Sequence, residues 1–315
     1  MLSLVGVLGA ASTSRSSLHA LAADSGEVVA GRADNGSSDA SRSTVPAAVR
    51  AAVDDSLRGA SGRLYVHFLR AGAHDPGAAI FARVFGAAAL RTPGVYALDD
   101  SALTHPFAFI TLRPFADKSR DGTLGAYRIG FWPAERGRVH SAAYANPTGF
   151  IEVTRDNAAL PVSAHFRLGD FLTHGQTSVW PKYLVLHEDL VDKLELVIAE
   201  LDREGIPVRH MTVMSGFRTP DYNADGGATS GRSTVSRHMY GDASDVFVDN
   251  DGNGRMDDLN RDGRIDSRDS RVIVDAASRV ERAHPELVGG EGVYAGTSSH
   301  GPFAHIDVRG TRARW

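Results

Sequence analysis

One amphipathic helix constrains the fold of this chain more strongly than any other segment. Five apolar side chains recur at the spacing that places them along one face of an α-helix: Leu190, Leu194, Val197, Ile198 and Leu201. Gly205 and Pro207 follow, and they predict where the helix ends. Such an apolar face has to be buried, and strand-like segments lie on both sides of the helix along the chain. The sequence therefore predicts an α+β protein.

The segment from residue 62 to 150 is predicted to be a small β-rich domain of unknown role. Its stretches LYVHFL, PFAFITLRPF and GAYRIGFWP are rich in β-branched and aromatic residues, as strands are. The turn-rich stretch DKSRDGTLG lies between the last two. We find no catalytic spacing of polar residues in this segment.

Residues 1–61 are predicted to be a possible signal-peptide remnant followed by a disordered linker. The first residues, MLSLVGVLGAAS, form an apolar run of the length found in export signals, without the usual positive residues before it. Residues 12–60 contain no aromatic residue and are rich in small and polar ones, so they offer little apolar surface to bury. We expect export to the periplasm or cell wall.

The composition excludes several classes of function. The chain has no cysteine, which rules out disulfides, thiolate metal ligands and cysteine nucleophiles. Its formal net charge of −4 gives no indication of a nucleic-acid partner. No segment contains the roughly 20 consecutive apolar residues that a membrane span needs. Any transition-metal site must therefore consist of histidines and carboxylates.

Two segments carry residues that suit a transition metal. SRHMYGDASDVFVD contains His238 and, seven residues later, Asp245, and FAHIDVRG contains His305. Two imidazoles and one carboxylate suit a zinc ion that keeps its fourth position open. A turn at Gly241 brings His238 and Asp245 towards one point, which His305 can reach from a neighbouring strand. Spacing alone leaves a second interpretation open, in which these residues make ordinary surface hydrogen bonds.

Three blocks of the sequence resemble the zinc D-alanyl-D-alanine peptidase family, which shares its fold with the signalling domain of hedgehog proteins. The blocks are SGFRTPDYN, SRHMYGDASDV and FAHIDVRGTRARW, in the family's order. The resemblance implies a zinc peptidase domain at residues 155–315, with an antiparallel sheet and flanking helices. It implies that the zinc ligands are His238, Asp245 and His305 and that the substrate is the peptide of peptidoglycan. It also implies that Arg218 points into the site and holds a substrate oxygen, the alternative being a structural turn arginine.

The residue that handles protons departs from the family pattern. Some relatives have a Glu three residues before the last ligand, where this chain has Pro302. Others have a His two residues before it, where this chain has Phe303, and some of these carry a further His at the spacing of His300. We therefore predict His300 as a catalytic residue, with an exposed loop histidine as the alternative. Asp307 is the second catalytic candidate, and otherwise it would orient a ligand histidine.

An acidic stretch before the last ligand matches the twelve-residue calcium loop. Side-chain oxygens occupy positions 1, 3, 5, 9 and 12, Gly263 stands at position 6, and a helix is predicted to follow. The predicted calcium ligands are Asp258, Asn260, Asp262, Arg264 through its backbone, Asp266 and Asp269. The loop resembles those of dockerin modules, and a partial second loop begins at Asp249. We place this calcium-loop insertion at residues 249–269, with a solvated acidic loop as the alternative.

The sequence thus predicts a metallopeptidase that uses zinc, is stabilised by calcium, and cleaves peptidoglycan stem peptides as a D,D-carboxypeptidase or an endopeptidase. Two other functions are compatible with the same residues. The zinc fold can bind peptidoglycan or a protein partner without cutting, or the acidic loop and the β-rich domain can belong to a calcium-dependent adhesion protein. Chelator-sensitive cleavage of muropeptides separates the first prediction from the other two.

Overall fold

The computed structural model describes residues 45–315 except residues 71, 99, 139–140 and 226–232. The apolar run at the N-terminus and most of the predicted linker, residues 1–44, therefore lie outside the described residues. The described part is an α+β protein with several small, mainly antiparallel sheets, which confirms the predicted class. Its α-helices are α1 Ala47–Ser56, α2 Pro76–Phe85, α3 Glu188–Arg203, α4 Pro220–Asp225 and α5 Ser267–Ala283.

The largest sheet lies in the C-terminal half of the chain. Its strands are β9 Met211–Ser215, β10 Ala243–Val248, β11 Gly290–Tyr294, β12 Phe303–Asp307 and β13 Ala313–Arg314. They are ordered β13-β11-β12-β10-β9, and all neighbours are antiparallel except β11 and β13. The central strands β10 and β12 are buried along their whole length. Side chains from these two strands therefore meet in a protected environment.

Helix α3 is the amphipathic helix that the sequence predicts. All five residues of the apolar stripe are buried on it. Gly205 has a φ of 77°, so the chain leaves the helix through the left-handed turn expected of a C-terminal glycine. Helix α3 packs against α5, and α5 packs against β11 and β12. The main sheet is therefore flanked by helices, as predicted.

The end of the predicted linker is ordered, which corrects the prediction of disorder for residues 45–61. Val49 and Val53 on α1 are only 1% and 0% exposed. They belong to a buried cluster that includes Leu69 and Phe81 from the following segment. The composition of residues 12–60 suggested disorder because the segment has few large apolar residues. Two valines one helical turn apart are nevertheless enough to anchor a helix when a neighbouring segment covers them.

The segment predicted to be β-rich contains helices as well as strands. Its strands and their partners are β1 Val66–Leu69, β2 Gly94–Leu98, β3 Phe107–Thr111, β4 Arg113–Pro114, β5 Thr123–Leu124, β6 Tyr127–Arg128, β7 Gly149–Val153 and β8 Lys182–Leu184. They form sheets ordered β1-β3-β2, β4-β7-β8 and β5-β6. The stretch GAYRIGFWP contributes only β6, because the short helical turn that starts at Pro133 ends the extended chain.

The predicted boundary between residues 150 and 155 is not a break in the packing. Strand β7 reaches across it and pairs with β4 on one side of the boundary and β8 on the other. One buried cluster extends from Leu64 to Ile306. The indole of Trp132 donates to the carbonyl of Met239 at 2.8 Å. The N-terminal region therefore supports the turn that carries the first predicted metal ligand.

Candidate metal centre

The three predicted zinc ligands meet at one buried point. His238 lies in a single 3-10 turn, Arg237–Tyr240, while Asp245 on β10 and His305 on β12 are direct partners in the antiparallel register. The His238 Nε2 atom lies 3.3 Å from His305 Nδ1 and 3.2 Å from Asp245 Oδ1. The His305 Nδ1 atom lies 2.9 Å from Asp245 Oδ1. The geometry therefore favours the metal-site interpretation over surface hydrogen bonds.

The spacing of these atoms fits a tetrahedral zinc ion. Ligand atoms at the usual zinc distances of about 2.0–2.1 Å are separated by about 3.3 Å in a tetrahedron. The three observed separations, 3.3, 3.2 and 2.9 Å, form one face of such a tetrahedron. The fourth position would then face away from the three side chains.

Each ligand histidine is held from behind by a hydrogen bond. His238 Nδ1 lies 2.7 Å from the carbonyl oxygen of Gly216, so this nitrogen donates and Nε2 keeps its lone pair for a metal. His305 Nε2 lies 3.1 Å from Asp307 Oδ2, which directs the Nδ1 lone pair to the same point. Of the two roles left open for Asp307, the geometry supports orientation of a ligand, as in carboxylate–histidine–zinc arrangements.

The groups around this point keep the Asp245 carboxyl ionised. Burial alone would raise the pKa of the Asp245 carboxyl, but the two imidazoles beside it hold that pKa well below its usual range. Burial lowers the pKa of His238. Burial also acts to lower the pKa of His305, but its hydrogen bonds to Asp245 and Asp307 raise it overall. The site therefore contains an ionised carboxylate, which metal binding requires.

The glycine after the ligand turn is required by close packing. Gly241 has a φ of 72°, and a Cβ atom there would lie 2.2 Å from the Val185 carbonyl oxygen. The Gly241 carbonyl accepts the amide of His187, the residue that precedes α3. These contacts fix the turn that presents His238, as the sequence argument about Gly241 predicts.

We expect Asp307→Asn to weaken zinc affinity about 10–100-fold, the usual effect of losing a carboxylate behind a ligand histidine. The amide lacks the negative charge that makes the His305 imidazole a better ligand. Competition with a fluorescent zinc chelator measures the change. The matched control is Asp275→Asn, which alters an exposed aspartate on α5. Equal zinc affinities for Asp307→Asn and the wild type would contradict the orienting role.

A cleft of about 950 Å³ opens onto the three ligands. Its walls include Arg218 and His300, two of the three other residues that the sequence placed at the site. Asp307 is 0% exposed and is not among the lining residues, so its position argues against the direct catalytic role first considered for it. The cleft also contains several aromatic side chains that no motif predicted.

Arg218 lies in the cleft as predicted, and it is also bonded to a ligand. Its Nη2 atom donates to Asp245 Oδ2 at 2.5 Å, and its Nε atom donates to Ser215 Oγ at 2.8 Å. The pairing holds the second oxygen of Asp245, so that Oδ1 is directed at the imidazoles. Arg218 is therefore a positioning residue, and its contact with a substrate oxygen stays a prediction.

His300 shares the cleft with the ligands. Its Nδ1 atom lies 2.8 Å from the Gly301 carbonyl oxygen and must donate to it, which leaves the Nε2 lone pair able to accept a proton. A second cleft histidine, His174, was not predicted from the sequence; its Nε2 atom lies 2.9 Å from the Met214 carbonyl oxygen. No motif marks His174, because only the folded chain brings the segment before β8 beside the end of β9.

The acidic insertion folds as two consecutive turns of the same form. In each turn the first aspartate, Asp249 or Asp258, accepts the backbone amides of the residues four and five positions later. The stretches DNDGNGRMD and DLNRDGRID thus form a repeat of nine residues. The turn at Asp249, which the sequence analysis treated as partial, is as well formed as the predicted loop.

The carboxylates of the predicted calcium ligands do not converge on one point. Asp262 and Asp266 both pair with Arg268, at 2.6 and 2.7 Å. Asp266 is the N-cap of α5, and Asp269 accepts the backbone amides of Leu259, Asn260 and Asp266. The calcium-loop pattern could not predict these ion pairs, because it specifies no residue type at position 11, which Arg268 occupies. The carboxylates that do converge, within 4.8 Å of one another, are those of Asp249, Asp251 and Asp257.

Comparisons with known proteins give no match to this chain among protein-family models, curated proteins or solved structures. None of the helices within the described ranges combines the length and the apolar character needed to cross a membrane. The function therefore has to be argued from the chemistry of the site.

Proposed function

We propose that this protein is a zinc-dependent peptidase that cleaves the stem peptides of peptidoglycan. One observation carries the proposal: two imidazole nitrogens and a carboxylate oxygen form a tetrahedral face at the base of a large cleft. Both imidazoles are oriented by the protein, so the ligand atoms are directed before any ion binds. The identity of the substrate rests on the resemblance of the SGFRTP and SRHMYGDASD blocks to the zinc D-alanyl-D-alanine peptidase family.

The chain's own residues supply orientation and proton transfer in this proposal. Zinc, when bound, would act as a Lewis acid and lower the pKa of a water ligand. Arg218 keeps Asp245 in place and presents its guanidinium to the cleft, where it donates to a substrate oxygen. His300 accepts a proton at Nε2 and returns it to the leaving amine.

The test is to incubate purified protein with purified muropeptides and to identify the products by mass spectrometry. Cleavage of a peptide bond that a chelator stops and added zinc restores supports the proposal. If the protein carries about one zinc ion per chain and cuts no muropeptide, the peptidase proposal is wrong.

The second candidate function is a non-catalytic module that binds peptidoglycan on the same zinc fold. It is favoured by the shortage of acids near the metal centre. Within the described part of the chain, Asp245 is the one carboxylate side chain among those lining the cleft, and Arg218 holds it. Binding of purified peptidoglycan without any change in its muropeptide products would support this function instead.

We also propose that calcium binds the acidic insertion and stabilises it. Calcium that binds only the folded state raises the free energy of unfolding by about 2.7 kcal/mol at 100 times its dissociation constant. The melting temperature should therefore rise with calcium, and the rise should be lost in the Asp258→Ala, Asp262→Ala double variant. The same pair of changes at Asp249 and Asp251 is the matched comparison. If only this second variant loses the rise, the predicted loop is wrong and the preceding turn binds the ion.

A further inference from the structure

Three aromatic side chains form one wall of the cleft beside the metal centre, and we call Tyr294, Phe303 and Trp315 the aromatic wall. Tyr294 and Phe303 are register partners on β11 and β12, and their rings stack 4.5 Å apart at an angle of 7°. The Trp315 indole donates from Nε1 to the Tyr294 hydroxyl at 2.6 Å. The polar tips of Tyr294 and Trp315 are therefore bonded to each other, and Trp315 is the exposed member of the wall.

Trp315 is held firmly although it is exposed. Its amide donates to the Glu291 carbonyl at 3.3 Å, and its carbonyl accepts the amide of Val293 at 3.0 Å. A Cβ atom on Gly292 would lie 2.5 Å from the indole nitrogen, so a glycine is what leaves room for the ring. Trp315 nevertheless keeps 47% of its surface exposed, and Ile265 is the other large apolar side chain exposed in the described ranges. A fixed and exposed indole indicates a binding surface.

The aromatic wall begins one strand away from a metal ligand. Gly292 on β11 is the register partner of His305 on β12. The Trp315 indole lies over Gly292, and its centre is 5.1 Å from the centre of the His305 imidazole. A group that packs on the indole therefore lies directly beside the atoms that would hold zinc.

We infer that the aromatic wall binds a pyranose ring of the glycan to which the peptide substrate is attached. This inference rests on the proposed function and names the part of peptidoglycan that the site recognises besides the peptide. One face of an N-acetylated pyranose consists of C–H groups, which pack against aromatic rings. The hydroxyl and acetamido groups at its edge need hydrogen-bonding partners.

Polar groups for such a sugar stand at the rim of the wall. The loop between β11 and β12 brings Thr297, Ser299 and His300 to the cleft. Both hydroxyl residues are exposed, and the His300 ring packs edge-on against Phe303 at 5.2 Å. An exposed indole bordered by hydroxyls and an imidazole matches a sugar better than an aliphatic peptide side chain, which makes no hydrogen bonds to the polar rim.

The first test is a calorimetric titration of the zinc-loaded full-length protein with the β-1,4-linked tetramer of N-acetylglucosamine. We expect saturable binding that Trp315→Ala weakens about tenfold or more. Trp315→Phe keeps an aromatic face and should retain most of the affinity. Ile265→Ala is the matched control, because it removes the other exposed large apolar side chain. No binding by the wild type, or equal binding by Trp315→Ala, overturns the inference.

A nuclear magnetic resonance measurement on the wild type makes the test independent of whether Trp315→Ala folds. The tetramer should shift the indole N–H signal of Trp315, which Trp315→Phe identifies by its absence. The signal of Trp132, which is 0% exposed, should stay in place. A Trp315 signal that does not move at saturating sugar overturns the inference.

Failure of the inference and failure of the proposed function give different results. Sugar binding through Trp315 without cleavage of any muropeptide supports the aromatic wall and contradicts the peptidase. If the protein cuts, we expect a stem peptide linked to its disaccharide to be favoured about tenfold in kcat/KM over the sugar-free peptide. Equal values for the two substrates would overturn the inference and leave the peptidase proposal intact.

Discussion

Replacement of His238 by alanine is expected to reduce bound zinc from about one ion per chain to none and to abolish peptide cleavage. His238 supplies one of the three ligand atoms and is only 2% exposed. Its loss leaves one imidazole and one carboxylate, of which Asp245 is also held by Arg218. Elemental analysis of the purified variant gives the zinc content, and mass spectrometry of muropeptides gives the activity.

The control for this experiment is a histidine that lies away from the cleft. His74 is exposed in the N-terminal region, and His74→Ala should keep both zinc and activity. Asp245→Ala should behave as His238→Ala does, because the two residues contribute to the same point. Full zinc in both His238→Ala and Asp245→Ala would show that the metal binds elsewhere.

His300→Ala is expected to keep zinc and fold while losing about 10²–10⁴-fold in cleavage rate, the usual cost of removing a general acid–base. The reason is that the other candidates for the proton acceptor are unsuitable. Pro302 cannot replace the Glu found in the family that the sequence resembles, and Asp307 is 0% exposed behind His305. His300 lines the cleft and has an Nε2 lone pair available.

The matched comparison is the other cleft histidine, His174, because each variant removes one imidazole from the lining of the same cleft. Each of the two histidines donates one ring nitrogen to a backbone carbonyl, but only His300 stands at a spacing found in the family that the sequence resembles. His174→Ala is therefore expected to slow cleavage far less than His300→Ala. Zinc content and circular dichroism of each variant separate a catalytic loss from unfolding. If His300→Ala cuts at the wild-type rate while His174→Ala does not, the proton acceptor is His174.

Local sequence was sufficient for the elements whose residues interact at short range. The stripe from Leu190 to Leu201 fixed α3, because helical periodicity is visible within twelve residues. The positions of His238 and Asp245 followed from a motif with its turn glycine in place. His305 was a candidate from its own segment, and the resemblance joined it to the other two, since its register opposite Asp245 depends on sheet pairing over sixty residues.

The features that the sequence did not reveal depend on contacts between distant segments. Helix α1 is ordered because later segments cover Val49 and Val53. The contact of Arg268 with two predicted calcium ligands needs the loop to be folded before it can be seen. His174 and Trp315 carry no motif of their own, and only the assembled cleft brings them near the ligands.

The hydrogen bonds behind His238 and His305 bear on whether the site can form without a metal ion. Small zinc modules fold only when the ion is present, since the ion is their main source of cohesion. Here Gly216 and Asp307 anchor the two imidazoles, and the strands that carry Asp245 and His305 lie in the middle of a buried sheet. We therefore expect folding not to depend on the ion. If the proposed zinc site is correct, the chain would fold before zinc binds, and it would lose and regain the ion without being refolded.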